Sequence, residues 1–124
     1  MKIELKPLQQ HFSICKVPNY TQVNMESEYV FLGKTDEEHS LVCETTDIPE
    51  NVLEHDDGWM AFRIEGVLDF SLIGILAGIS EILAKNQIGI FVVSTYNTDY
   101  VLTKEKHYNQ ALQVLADAGY DIKN

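Results

Sequence analysis

The sequence predicts an α+β fold: a complete β-α-β-β-α-β unit over residues 58–124, preceded by a reduced, mostly stranded version of the same plan over 1–57. Three observations carry this. The second half holds two segments with apolar residues at helical spacing. Between and around them lie short β-branched or alternating runs. The first half also aligns weakly on the second.

The elements follow in order. Trp59 to Glu65 alternates, with Met60, Phe62 and Ile64 on one face, as in a half-buried strand. A helix is expected from about Leu72 to Asn86, its apolar face made by Leu72, Ile75, Leu76, Ile79, Ile82 and Leu83. Gly74, Ala77 and Gly78 form a small-residue strip beside that face. Since glycine costs about 1 kcal/mol inside a helix, the strip signals a close backbone approach, to a neighbouring element or to a ligand. Ile88 to Val93 reads as a central strand, Ser94 to Thr98 as a turn, and Asp99 to Thr103 as the returning strand of a hairpin. A second helix is expected from Lys104, with Thr103 as N-cap, Tyr108, Ala111, Leu112 and Leu115 buried, and Gly119 at C′. Tyr120 to Ile122 closes the order as an edge strand, which gives the ferredoxin-like arrangement.

The first half reads as strands over Phe12–Val17, Tyr29–Lys34 and Ser40–Thr45, with a single helical turn at Asp47–Glu50. Val30–Thr35 lies over Ile90–Thr95, and Ser40–Val42 over Tyr100–Leu102, at the same offset. The polar run Glu54–Gly58, ending in Asp-Gly, is read as the boundary between the halves.

Composition narrows the function. The chain has 124 residues, 45% hydrophobic, enough for one compact domain or two very small ones. No apolar run reaches bilayer length, and the alternating Met1–Lys6 lacks a signal-peptide core. A soluble, cytoplasmic protein without membrane contact is expected. A net charge of -10, with Arg63 the single arginine, opposes nucleic-acid binding and a bidentate arginine clamp. Cys15 and Cys43 each sit in an apolar run and read as small buried hydrophobes. The four histidines are scattered, so neither a metal nor a cofactor is expected. Walker, GxGxxG and GxSxG motifs are absent, and Ser94 has no evident base, so no catalytic residue is assigned.

Two stretches could recognise a small zwitterion: Gly66 to Gly74, leading into the first helix, and Ser94 to Asp99, at the hairpin. A helix N-terminus suits a carboxylate, and Asp69 and Asp99 suit an ammonium group. Spacing alone reads Asp69 as an N-cap and Ser94–Asp99 as turn chemistry.

Gly66-Val67-Leu68-Asp69-Phe70-Ser71-Leu72-Ile73-Gly74-Ile75-Leu76, with Ile88 to Leu102, resembles the ACT domain family. The resemblance is to bacterial tandem ACT-like proteins related to the CASTOR-type amino-acid sensors. Thr35–Cys43 and Gly58-Trp59 fit the same pattern; Val93 and Thr103 depart from it conservatively. The resemblance implies two ACT-like units, the first reduced, and a metabolite bound where the loop before one unit's first helix meets a neighbour. Carried over by position, the ligand-binding residues are Asp69, Phe70, Ser71, Gly74, Ile75, Ser94, Thr95 and Asp99. The expected function is a non-enzymatic sensor of a small ligand, plausibly an amino acid, acting through an ACT–ACT interface in a homodimer. The alternatives are a ligand-free assembly module and an enzyme built on Asp99.

Overall fold

A computed structural model describes residues 3–65 and 74–123. The strands are β1 (Glu4–Val17), β2 (Val30–Lys34), β3 (His39–Glu44), β4 (Glu54–Ile64), β5 (Phe91–Ser94), β6 (Asp99–Lys104) and β7 (Asp121–Ile122). The helices are α1 (Ile75–Lys85) and α2 (Glu105–Asp117), and a single 3-10 turn spans Thr45–Asp47. The chain forms two compact units: residues 1–9 with 60–124, and residues 10–59. β1 and β4 each contribute to both. No helix among the described residues is long and apolar enough to cross a membrane.

The larger unit holds both helices. Its strand order is β7, β1, β4, β6, β5, with β5 and β6 antiparallel and β7 parallel to β1. The ferredoxin-like elements are therefore complete, but the sheet carries an extra strand from the chain's first residues. Asp121 N–H donates to the Ile3 carbonyl at 2.9 Å, Lys123 N–H to that of Leu5 at 2.8 Å, and Glu65 N–H to that of Glu4 at 2.9 Å. The expected division at 57/58 assigns these residues to the other unit; their backbone pairing places them here.

The core of this unit is built from the apolar faces read in the sequence. Leu5, Phe62, Ile64 and Val101 from the sheet meet Ile79 and Leu83 of α1 and Tyr108, Ala111 and Leu115 of α2, all buried. Each helix ends in the same way. In α2, Gly119 at φ 107 donates to the Ala116 carbonyl at 3.0 Å, and Tyr120 to that of Leu115 at 3.1 Å. This is a Schellman motif with glycine at C′, as expected. In α1 the C′ residue is Gln87, at φ 60; it donates to Ala84 at 2.9 Å, and Ile88 to Leu83 at 3.0 Å. A left-handed glutamine costs roughly 1–2 kcal/mol, and the buried Ile88–Leu83 contact offsets that strain.

The small-residue strip has a structural cause. A Cβ built on Gly78 would come within 3.2 Å of the Tyr120 hydroxyl, so the close approach is to the chain's own C-terminal segment. Gly74 is not a helix-interior residue: it is the N-cap of α1, in the left-handed region at φ 87. Thr103 likewise is not the N-cap of α2. It is a fully buried residue of β6, and Lys104 takes the cap position.

Tyr108 titrates against this packing. Its hydroxyl donates to the Ala61 carbonyl at 2.6 Å in the core. Burial pushes its pKa up to about 12, partly opposed by a backbone hydrogen bond from Leu8. The folded state thus holds the phenolic proton more tightly than the unfolded chain. That contribution is fully present below about pH 10 and is lost as pH rises through about 12, an effect on the order of 2 kcal/mol. Denaturation midpoints should fall across this window, and Tyr108→Phe should remove the part due to this residue.

The smaller unit has the strand order β2, β3, β1, β4. Cys15, Val17, Leu41 and Cys43 are its buried apolar centre, covered by Tyr20, Val23, Val30, Ile48 and Val52. The segment between β1 and β2 folds as turns rather than a helix. Asn19 Oδ1 accepts from Thr21 N–H at 3.1 Å, and the Tyr20 hydroxyl donates to the Ser40 carbonyl at 3.0 Å. The helical turn falls at Thr45–Asp47, earlier than the expected Asp47–Glu50. Glu54–Gly58 is not a boundary turn: it is the first part of β4, with Gly58 at φ 83.

The internal repeat is structural. The β2–β3 hairpin pairs Lys34 with His39 and Phe31 with Val42; sixty positions later β5–β6 pairs Ser94 with Asp99 and Phe91 with Leu102. Thr35 N–H donates to the Glu38 carbonyl at 3.0 Å, and Thr95 N–H to that of Thr98 at 2.8 Å. At the same offset, the 3-10 turn at Thr45 stands where α2 begins at Glu105. The chain is a tandem of a reduced and a complete unit, the second helix of the first reduced to one turn.

Candidate ligand site

Of the ligand residues expected from the sequence, Gly74, Ile75, Ser94, Thr95 and Asp99 are described, all in the larger unit. Residues 86–90 link the C-terminus of α1 to the start of β5. An eleven-residue helix is about 16 Å long and a four-residue strand about 13 Å. The N-terminus of α1 therefore lies at the end of the sheet where β5 turns into β6. Gly74 and Ile75 are at that helix terminus, while Ser94, Thr95 and Asp99 are at that turn. Asp69, Phe70 and Ser71 lie outside the described residues.

The turn is held by hydroxyl chemistry. Thr95 Oγ1 donates to the Thr98 carbonyl at 3.0 Å and accepts from Thr98 N–H at 3.4 Å. Thr98, 7% exposed, sends its Oγ1–H to the Ile64 carbonyl at 2.7 Å. The turn is thereby fixed to the end of β4, the point from which the chain runs on toward α1. Thr98 was not among the expected site residues. The signal for it is position: it ends the polar turn and follows Glu38 at the offset of the repeat.

Ser94 and Thr95 are exposed, Asp99 is half-buried, and Ser94 and Asp99 are direct cross-strand partners. Gly74 offers no side chain to cap α1 and no side-chain cap is found among the described residues; a helix N-terminus presents N–H donors and a partial positive potential. The arrangement can offer N–H groups to an anion and a carboxylate to a cation. Arg63 is engaged elsewhere: Nη1 donates to the Tyr100 hydroxyl at 3.3 Å and Nε to Glu65 Oε2 at 3.1 Å. The Tyr100 contact raises its pKa, burial opposes this, and Glu65 adds a lesser upward effect. Among the described residues, no group of three or more His, Cys, Asp or Glu side chains is placed to hold a metal ion.

Two open clefts lie elsewhere on this unit. One, of about 270 Å³, is bounded by Ile3, Ile82, Ala118, Gly119 and Tyr120. The other, of about 350 Å³, has a floor of Leu8, Met60, Leu112 and Ile122 beside Tyr108 and Lys123. Among the described residues, no expected ligand residue lines either cleft. The first is bordered by residues 118–120, just past the C-terminal end of α2, whose carbonyl potential disfavours a carboxylate.

The family model for the ACT domain matches residues 54–117. No curated protein matches the sequence. Among solved structures, a protein from Agrobacterium tumefaciens is 31% identical; the match covers 99% of this chain and 93% of that one, with a TM-score of 0.84. The aspartate kinase of Clostridium acetobutylicum, described as an allosteric enzyme, is 13% identical, with a TM-score of 0.66. That match covers 90% of this chain and 33% of the kinase. A structure of aspartokinase alpha and beta subunits is 18% identical, covering 92% of this chain and 91% of that one, with a TM-score of 0.65. At these low identities the two kinases show a shared fold. ACT domains are regulatory modules that bind small ligands, often amino acids. With its element order, its repeated hairpin and more than half its length matched, this chain belongs to the ACT domain family.

Proposed function

We propose that this chain is a non-catalytic, cytoplasmic regulatory protein that binds an amino acid and acts through an ACT–ACT interface in a homodimer. The ligand would sit at the α1 N-terminus and the β5–β6 turn. Its carboxylate would be met by backbone N–H groups near Gly74 and Ile75, and its ammonium group by Asp99, with Ser94 and Thr95 beside it. Asp69, Phe70 and Ser71 belong to the proposed site through the family resemblance. The reading rests on the glycine at the α1 N-cap and on Ser94, Thr95 and Asp99 gathered at the β5–β6 turn. The engagement of Arg63 by Glu65 and Tyr100 supports carboxylate recognition by backbone rather than by guanidinium.

A thermal-shift screen of the twenty amino acids at millimolar concentration tests this. One of them should stabilise the fold by about 2.7 kcal/mol when present at 100 times its Kd. Asp99→Asn should abolish that shift while leaving the ligand-free melting temperature within a few degrees. Light scattering of the bound form should give twice 14.1 kDa. If no amino acid shifts the melting temperature, the sensor reading fails and an assembly role takes its place.

A further inference from the structure

The smaller unit gathers two thiols and a hydrogen-bonded polar chain on one face of its sheet. Ser13 and Cys15 project to the same side of β1, and Cys43 is the cross-strand partner of Ser13. Both cysteines are free and nearly buried, 3% and 2% exposed, with their sulfurs 4.0 Å apart. From β4, His55 Nδ1 lies 2.8 Å from Asp57 Oδ1, which also accepts from Ser13 Oγ at 2.7 Å. Ser13 Oγ is 2.9 Å from Thr45 Oγ1. His55 and Asp57 are 43% and 46% exposed, while Tyr20, Val23, Val30, Ile48 and Val52 pack against the thiol pair.

We propose that Cys15 and Cys43 are a redox site, oxidised by a small hydroperoxide to an intramolecular disulfide, with Cys15 the reacting thiol and Cys43 the resolving one. The two sulfurs are not equivalent. Either thiol can donate in their contact; that contact favours the Cys15 thiolate against the cost of burial, His55 adds to this and Asp57 opposes it. The same contact, and then burial, make Cys43 hold its proton. Asp57 favours the imidazolium form of His55, first by its hydrogen bond and then by its charge. A thiolate beside a cation is the reactive form of cysteine.

In the first step the Cys15 thiolate attacks the terminal peroxide oxygen. The O–O bond breaks, and the departing alkoxide or hydroxide takes a proton from solvent, leaving the sulfenic acid on Cys15. In the second, the Cys43 sulfur attacks the Cys15 sulfur. The S–O bond breaks and the oxygen leaves as water, taking the Cys43 proton. Two electrons pass from the dithiol to the peroxide. The sulfurs must close by about 2 Å to reach disulfide length, between strands already paired beside Ser13 and Cys43. A wall of Val17, Leu41 and Tyr20 favours a small oxidant over a bulky disulfide.

The test treats the full chain with hydrogen peroxide and reads its intact mass. The wild type should lose the mass of two hydrogen atoms and regain it with dithiothreitol. In Cys43→Ala, dimedone should trap the sulfenic acid on Cys15. His55→Gln should slow oxidation roughly 3- to 10-fold with an unchanged circular dichroism spectrum. The proposal is overturned if wild-type chain keeps both thiols under conditions that oxidise free cysteine. It is equally overturned if Cys43 in Cys15→Ala is trapped as fast as Cys15 in Cys43→Ala. Should Cys43→Ala fail to fold, the wild-type mass decides alone.

Discussion

Replacing Phe62 by alanine is expected to cost about 3–5 kcal/mol of stability, as large aromatic-to-alanine changes in a closed core do. Phe62 is fully buried in β4, in the cluster of Leu5, Ile79, Leu83, Val101, Tyr108 and Leu115. It belongs to a strand lined by helices on that face, so two rigid elements would have to shift to fill the void. Domains of this size are stable by only about 5–15 kcal/mol, so the variant should be partly unfolded at moderate denaturant. Chemical denaturation monitored by circular dichroism checks this. Tyr96→Ala, at a position 85% exposed, serves as the control and should change stability by less than about 0.5 kcal/mol. A Phe62→Ala loss no greater than the control's would mean that the core is not packed as described.

Residues 58–124 produced alone should not fold cooperatively. The sequence reading makes this stretch a complete unit, but its sheet includes β1. Leu5 is fully buried in its core, and β7 is paired to β1 through Glu4 with Asp121 and Leu5 with Ile122. Lys123 Nζ also pairs with Glu4 Oε2 at 3.0 Å. Without β1, β7 loses its ladder, β4 exposes backbone groups, and the cavity at Leu5 alone is worth about 2–5 kcal/mol. Hydrogen exchange on the fragment should show little protection in β4 and β7, and a peptide spanning residues 1–9 should restore it. A fragment with a sharp unfolding transition would restore the 57/58 division as a folding boundary.

The sequence carried most of the larger unit because its elements are patterned locally. Ile79, Leu83, Tyr108, Ala111 and Leu115 stand at helical spacing and are the buried residues of the two helices. Both hairpins were visible because Val30–Thr35 and Ser40–Val42 recur as Ile90–Thr95 and Tyr100–Leu102 at one offset. What failed to show was set at long range. Glu54–Asp57 are exposed and polar, so nothing in them advertises a strand; pairing with β1 makes them one. Gln87 carries no glycine signal for the left-handed position it occupies. At the candidate site, the hairpin residues were legible, but the bond from Thr98 to Ile64 joins positions far apart in the chain. Pattern reports what a segment needs, not which partner meets that need.

The parallel pairing of β1 with β7 also sets the order in which the protein can be completed. Synthesis makes Glu4 more than a hundred positions before its partner Asp121. Helices and hairpins form within their own segments as they leave the ribosome, but this pairing waits until Asp121 has been made. Contacts of such separation slow folding, and an unclosed strand edge invites association with other chains. Until Asp121 and Ile122 are made, the Glu4–Leu5 stretch of β1 that they cover keeps an open edge.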